Sequence, residues 1–83
     1  MRILRGKGGP VRCVAYAPGG LLASGGDDGA VVLWDLPSGG ERARLQGHGE
    51  SVRALAVSPD GRRLASGGWD RRVLVWDLDA QDI

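Results

Sequence analysis

With 83 residues, the chain is at most one small domain, and a domain of this size buries only about 60–65% of the surface its unfolded form exposes. Eleven basic and ten acidic residues give a net charge of +1, and their scatter along the chain gives no electrostatic reason for a nucleic-acid or membrane partner. Cys13 is the only cysteine, which excludes an intrachain disulfide and a cysteine-based metal site, and no run approaches the roughly 18 apolar residues of a membrane-spanning helix.

The N-terminal "MRILRGKGG" lacks the apolar core of a secretion signal. A soluble, cytoplasmic protein is the expectation. Arg supplies ten of the eleven cations, which reads either as carboxylate or phosphate recognition or as compositional bias.

In chain order, the first element is "VRCVAY", an alternating strand that holds Cys13 as a packed thiol. It ends in "APGG", where Pro and Gly supply hairpin dihedrals. "LLAS" follows, then "GGDDG" as a tight connection, then "AVVLW". "DLPSGGE" turns the chain into "ERARL", a short polar strand suited to a sheet edge. The order then repeats as "VRALAV", "SPDG", "RLAS", "GGWDR" and "RVLVW". No stretch has a helical apolar period, so the chain is expected to be all β.

The repetition is residue by residue. Leu4, Gly6, Val11, Arg12, Ala15 and Pro18 answer Leu45, Gly47, Val52, Arg53, Ala56 and Pro59, an offset of 41. Beyond the turn the offset is 42, pairing Leu22, Ser24, Asp28, Val31, Trp34 and Asp35 with Leu64, Ser66, Asp70, Val73, Trp76 and Asp77. Self-similarity at this period signals a stacked repeat architecture. The Trp-bearing strands are apolar on both faces: Val73 and Val75 point one way, Leu74 and Trp76 the other. Such a strand has to be covered on both sides, as in stacked sheets.

These residues resemble the WD-repeat family of β-propellers over residues 2 to 78. The resemblance is carried by Gly47-His48, "SPDG" at 58–61, the closing Trp34-Asp35 and Trp76-Asp77, and an Asp six residues before the Trp of each closing pair. It implies two propeller blades of four-stranded antiparallel sheet, with repeat one at 2–41, repeat two at 42–78 and a short tail at 79–83. Because such repeats are phased one strand off from the blades, it further implies an orphan outer strand at 2–5, a complete blade at 11–45, and three strands at 52–77. The missing fourth strand is then supplied by another chain, or the blade stays open.

The resemblance also implies a structural hydrogen-bond network in the second repeat, from Trp76 through Ser66 and His48 to Asp70. A Ser, His and Asp together invite a hydrolase reading, but no "GxSxG" elbow is present, and no catalytic residue is assigned. In the first repeat the equivalents are Trp34, Ser24 and Asp28, with Lys7 in the His position. Lys has only donors and cannot relay between a hydroxyl and a carboxylate, so this network is expected to be incomplete.

Two blades leave two outward faces bare, whereas repeat folds generally need three or more units. A head-to-tail homo-oligomer of three or four chains, closing a six- or eight-bladed ring, satisfies the faces and the open edge. A fragment of a longer propeller is the alternative.

Family resemblance implies a non-catalytic platform that binds proteins or peptides through loops on one rim. Trp69 and Arg71 are the candidate anchor, or Trp69 merely covers its loop or the central channel. Asp27, Glu50 and Ser51 lie on the same loops. Arg12 and Arg53 either line a site for an acidic peptide or pair with nearby carboxylates. A ligand-binding or catalytic propeller is the competing class. One His, one Cys and no phosphate-binding glycine loop leave it without support, so no cofactor or metal is expected.

Overall fold

The computed structural model describes residues 3–4 and 9–78, and among these every regular element is a strand. Strands β1 (Val11–Ala17), β2 (Leu21–Gly26), β3 (Ala30–Asp35) and β4 (Gly40–Gln46) form one antiparallel sheet in sequential order. Strands β5 (Val52–Val57), β6 (Arg63–Gly68) and β7 (Val73–Asp77) form a second sheet of three. The all-β expectation and the division into a complete and an incomplete blade both hold. The orphan strand expected at 2–5 is not seen in its described part: Ile3 and Leu4 belong to no strand, while Arg2 and Arg5 lie outside the described residues.

The turns follow from their residues. Gly19 and Gly20 both take positive φ between β1 and β2, a conformation that costs side-chain-bearing residues energy. In the second copy Asp60 does part of this work, its Oδ1 accepting from Ser58 Oγ at 2.6 Å and from Arg62 N at 3.0 Å. Gly61 then closes the turn at positive φ.

Cross-strand register places Cys13, Ala15, Ala23, Gly25, Val31 and Leu33 on one face of the first sheet. That face meets the second sheet, and Ala23, Val31, Leu33, Leu45, Val52 and Leu64 form the buried core between them. Leu55, Val57 and Trp76 pack around it from the second sheet, and Cys13 from the first. The Cys13 thiol is half-buried beside the carbonyls of Gly25 and Val52. Burial pushes its pKa up.

The two Trp-bearing strands differ. In β3, Ala30 to Trp34 are all buried, as their two apolar faces require. In β7 only one face is covered, because no third sheet stands beyond it among the described residues. Leu33 is 2% exposed while its equivalent Val75 is 66% exposed. On the opposite side of the pair, Val52 is 0% exposed and its equivalent Val11 is 58% exposed.

Gly25 shows how close the two sheets come. A Cβ built there would lie 2.6 Å from Val52 Cγ1 and 3.2 Å from Cys13 Sγ, whereas one built at its equivalent Gly67 would meet nothing within 4 Å. Gly25→Ala should therefore cost about 1–3 kcal/mol through overpacking. Gly67→Ala should leave the stability of the single chain nearly unchanged, and urea unfolding of the two variants at high dilution measures the contrast.

Candidate functional site

All the strand connections at one end of the sheets converge on a single rim, made by residues 9–10, 26–29, 47–51 and 68–72. Two hydrogen-bonded systems occupy it.

The first runs through the second blade. Trp76 Nε1 donates to Ser66 Oγ at 2.9 Å. His48 Nε2 lies 2.8 Å from the same hydroxyl, and His48 Nδ1 lies 3.1 Å from both oxygens of Asp70. The neutral imidazole protonated on Nδ1 satisfies every member: Nδ1–H donates to Asp70, Ser66 O–H donates to Nε2, and Ser66 Oγ accepts from the indole. Asp70 also accepts from the backbone N–H of Gly49 and of Arg72, each at 3.2 Å. One carboxylate thus ties the β4–β5 loop to the β6–β7 turn. Burial alone would raise its pKa, but the hydrogen bonds from His48 and the two amides outweigh that and hold it below the usual carboxylate value.

Ser66 and His48 are buried, and the Ser66 hydroxyl is engaged on both sides. It presents no free nucleophile, which a hydrolase would need.

In the first blade Trp34 Nε1 donates to Ser24 Oγ at 2.9 Å. Asp28 accepts from Ala30 N at 3.2 Å, the counterpart of the Arg72–Asp70 bond, and pairs with Arg44 at 3.3 Å. A small cavity of about 30 Å³, lined by Ser24, Asp28 and Trp34 among others, lies beside this pair and has room for a water molecule. Lys7, which stands in the His position of this copy, lies outside the described residues. Sequence reasoning missed Arg44, because the polar strand β4 carries no motif that marks it.

The second system joins the two blades. Both β1 and β5 have a register shift at their start, at Arg12 and at Arg53. A bulge there turns these side chains out of the alternation and along the rim. Arg12 reaches Asp27 with two bonds, Nε to Oδ1 at 2.9 Å and Nη2 to Oδ2 at 3.0 Å. Ser51 Oγ donates to Asp27 Oδ1 at 2.9 Å from the other blade. Hydrogen bonds from Arg12 and then Ser51 hold the Asp27 carboxyl down to about 2.

Trp69 stands where the first copy has Asp27, and the two backbones agree. Asp27 N donates to Pro10 O at 3.2 Å, and Trp69 N donates to the equivalent Ser51 O at 3.0 Å. The partner of Arg53 is accordingly an indole: its Cζ lies 3.5 Å from the Trp69 ring centroid, a cation–π stack. Of the two alternatives for these arginines, hydrogen-bonded pairing with a carboxylate describes Arg12, whereas Arg53 is near enough for its charge to act on Asp27 but makes no hydrogen bond to it. Trp69 is 62% exposed.

Glu50 and Arg71 are exposed on the same rim, and neither side chain is joined to this cluster by a hydrogen bond or ion pair among the described residues. Arg71 holds φ 65° where the first copy has Gly29 at φ 81°.

Replacing Ser66 by Ala would orphan two groups, the Trp76 indole N–H and His48 Nε2, and replacing Ser24 would orphan the Trp34 indole. At about 1–3 kcal/mol for each unsatisfied group, Ser66→Ala should lose roughly twice as much stability as Ser24→Ala in urea unfolding. Equal losses would show that the imidazole contributes nothing through the hydroxyl.

Comparison with known proteins agrees with this geometry. The chain is 45% identical over 58 residues to the small ribosomal subunit protein RACK1z of Oryza sativa subsp. japonica, covering 69% of this chain and 17% of that protein. It is 49% identical over 43 residues to Coronin-7 of Mus musculus, covering 52% of this chain and 5% of that one. The β-propeller domain of Myceliophteria thermophila Cps50 (Swd1) superposes with a TM-score of 0.82 at 39% identity, covering 89% of this chain and 23% of that domain. The chain therefore spans only a small part of the proteins it matches. The family model for the WD domain, G-beta repeat, matches residues 1–35 and 39–77, and the chain belongs to that family.

Proposed function

We propose that this chain is a non-catalytic protein-interaction scaffold, a two-blade propeller unit whose copies assemble head to tail into a closed ring of three or four chains. The observation that carries this is the equivalence of its bare faces to its buried ones. Ala54, Ala56, Val73 and Val75, exposed on the second blade, occupy the positions of Cys13, Ala15, Val31 and Leu33, which line the interface between the blades.

On the far side of the first blade, exposed Val11, Val14 and Tyr16 occupy the positions of Val52, Leu55 and Val57. The two outward surfaces are the two halves of an interface the chain already makes once. Between the first set lies a depression of about 220 Å³ bordered by Ala54, Ala56, Gly67 and Val73, and Val11 of a second copy would sit over Gly67 there as Val52 sits over Gly25.

A head-to-tail contact of this kind is heterologous, and it ends only by closing. Two blades per chain give six or eight blades. The interaction surface in this reading is the rim. A cytoplasmic location belongs to the same reading, since the half-buried Cys13 thiol calls for no oxidising compartment.

A second reading has its own support. The chain covers 23% of the Cps50 propeller domain and 17% of RACK1z, so the same two faces are equally served by further blades of a longer chain.

Light scattering over a dilution series separates the two. Assembly predicts a mass of three or four chains at high concentration that falls on dilution, and it predicts that Gly67→Ala dissociates the ring while the single chain stays folded. A folded single chain at every concentration, unaffected by Gly67→Ala, would contradict self-assembly.

A further inference from the structure

Across the repeats, Arg12 and Arg53 occupy one backbone position, and so do Asp27 and Trp69, but the pairs they make differ in what they leave available. Arg12 spends its guanidinium on the two oxygens of Asp27. Arg53 donates no hydrogen bond to any described residue, and its Nε is buried without a partner.

An arginine in this state is held by its stack and not by an acceptor. Trp69 holds the guanidinium against its ring, and a planar guanidinium with unspent N–H groups is a fork shaped for a carboxylate. Asp27 is not free to fill that fork, because Arg12 and Ser51 already hold it. Arg72, the next cation along the rim, is engaged as well, donating to Gly47 O at 2.7 Å.

We infer that the Arg53–Trp69 pair is a receptor for a Glu or Asp side chain of a peptide segment lying across the junction of the two blades. The terminal N–H groups of Arg53 take the carboxylate, and the exposed indole offers its face to an apolar side chain next to it. A large exposed aromatic beside an arginine is the composition that dominates protein interfaces. A carboxylate fits better than a polyphosphate backbone, because the chain carries a net charge of only +1 and Arg12 and Arg72, on either side of the stack, are already engaged, which leaves Arg71 as the one further exposed arginine among the described rim residues. The inference rests on the rim being the interaction surface proposed above, and not on how many chains close the ring.

A positional-scanning library of short acetylated peptides, captured on the full chain, tests it. The expected result is enrichment of Glu and Asp over Gln and Asn at one position. Arg53→Gln should remove the preference with a loss of about tenfold in affinity, the size of a charge-assisted hydrogen bond. Arg53→Lys, which keeps the charge and loses the fork, should fall between, and Arg42→Gln on the outer strand β4 should change nothing. Trp69→Ala should weaken every captured peptide. Acidic preference that survives Arg53→Gln, or capture with no acidic preference, would overturn the inference and leave the scaffold reading standing. No capture at all would overturn both. Binding of a single-stranded oligonucleotide through Trp69 in place of peptides would reassign the stack to nucleobases.

Discussion

A sheet that is apolar on both faces has to be covered on both, and the rest of this molecule follows from how far 83 residues can meet that demand. The first blade meets it on the side that faces the second, where the aliphatic side chains of β3 interdigitate with Val52 and Leu64. Gly25 lets Val52 come closer than a side chain would allow. The second blade has equivalent apolar residues in the same register and no further sheet beside it among the described residues, so Val73 and Val75 face outward. The difference between β3 and β7 is one of position in the stack.

Polar chemistry at the rim works on that frame. The Trp76–Ser66–His48–Asp70 chain satisfies four buried or half-buried groups at once, and Asp70 extends it to the backbone of two loops. Such a network specifies one arrangement, because any loop shift leaves a donor or acceptor unmatched. With these loops fixed, Asp27 and Trp69, which share one position of the repeat, present different chemistry from matching backbone sites. One closes an ion pair that also takes in Ser51 across the blade junction, and the other supports an arginine whose donors stay unspent.

Much of this was legible in the residues. The strands and turns came from alternation and punctuation, while the resemblance implied the division into a complete and an incomplete blade and pointed to the Ser, His, Asp and Trp that the structure brings within hydrogen-bonding distance. The contrast of Asp27 with Trp69 was visible as well. What it meant was not, because the bulges at Arg12 and Arg53 have no sequence signature and they decide which residue each arginine meets. The demand that both apolar faces of β7 be covered was read as a property of the strand, whereas it depends on a neighbour. Arg44 was invisible for the opposite reason: it reaches Asp28 from a polar edge strand where many residues would do.

The proposed ring requires the outward face of the second blade to be an unfilled interface of the kind already seen between the blades. Hydrogen exchange of the β7 amides, followed against those of β3 as concentration is raised, measures this directly. Assembly requires that β7 exchange faster than β3 in dilute solution and approach β3 protection as copies stack upon it. A ratio of the two rates that stays the same at every concentration would contradict it.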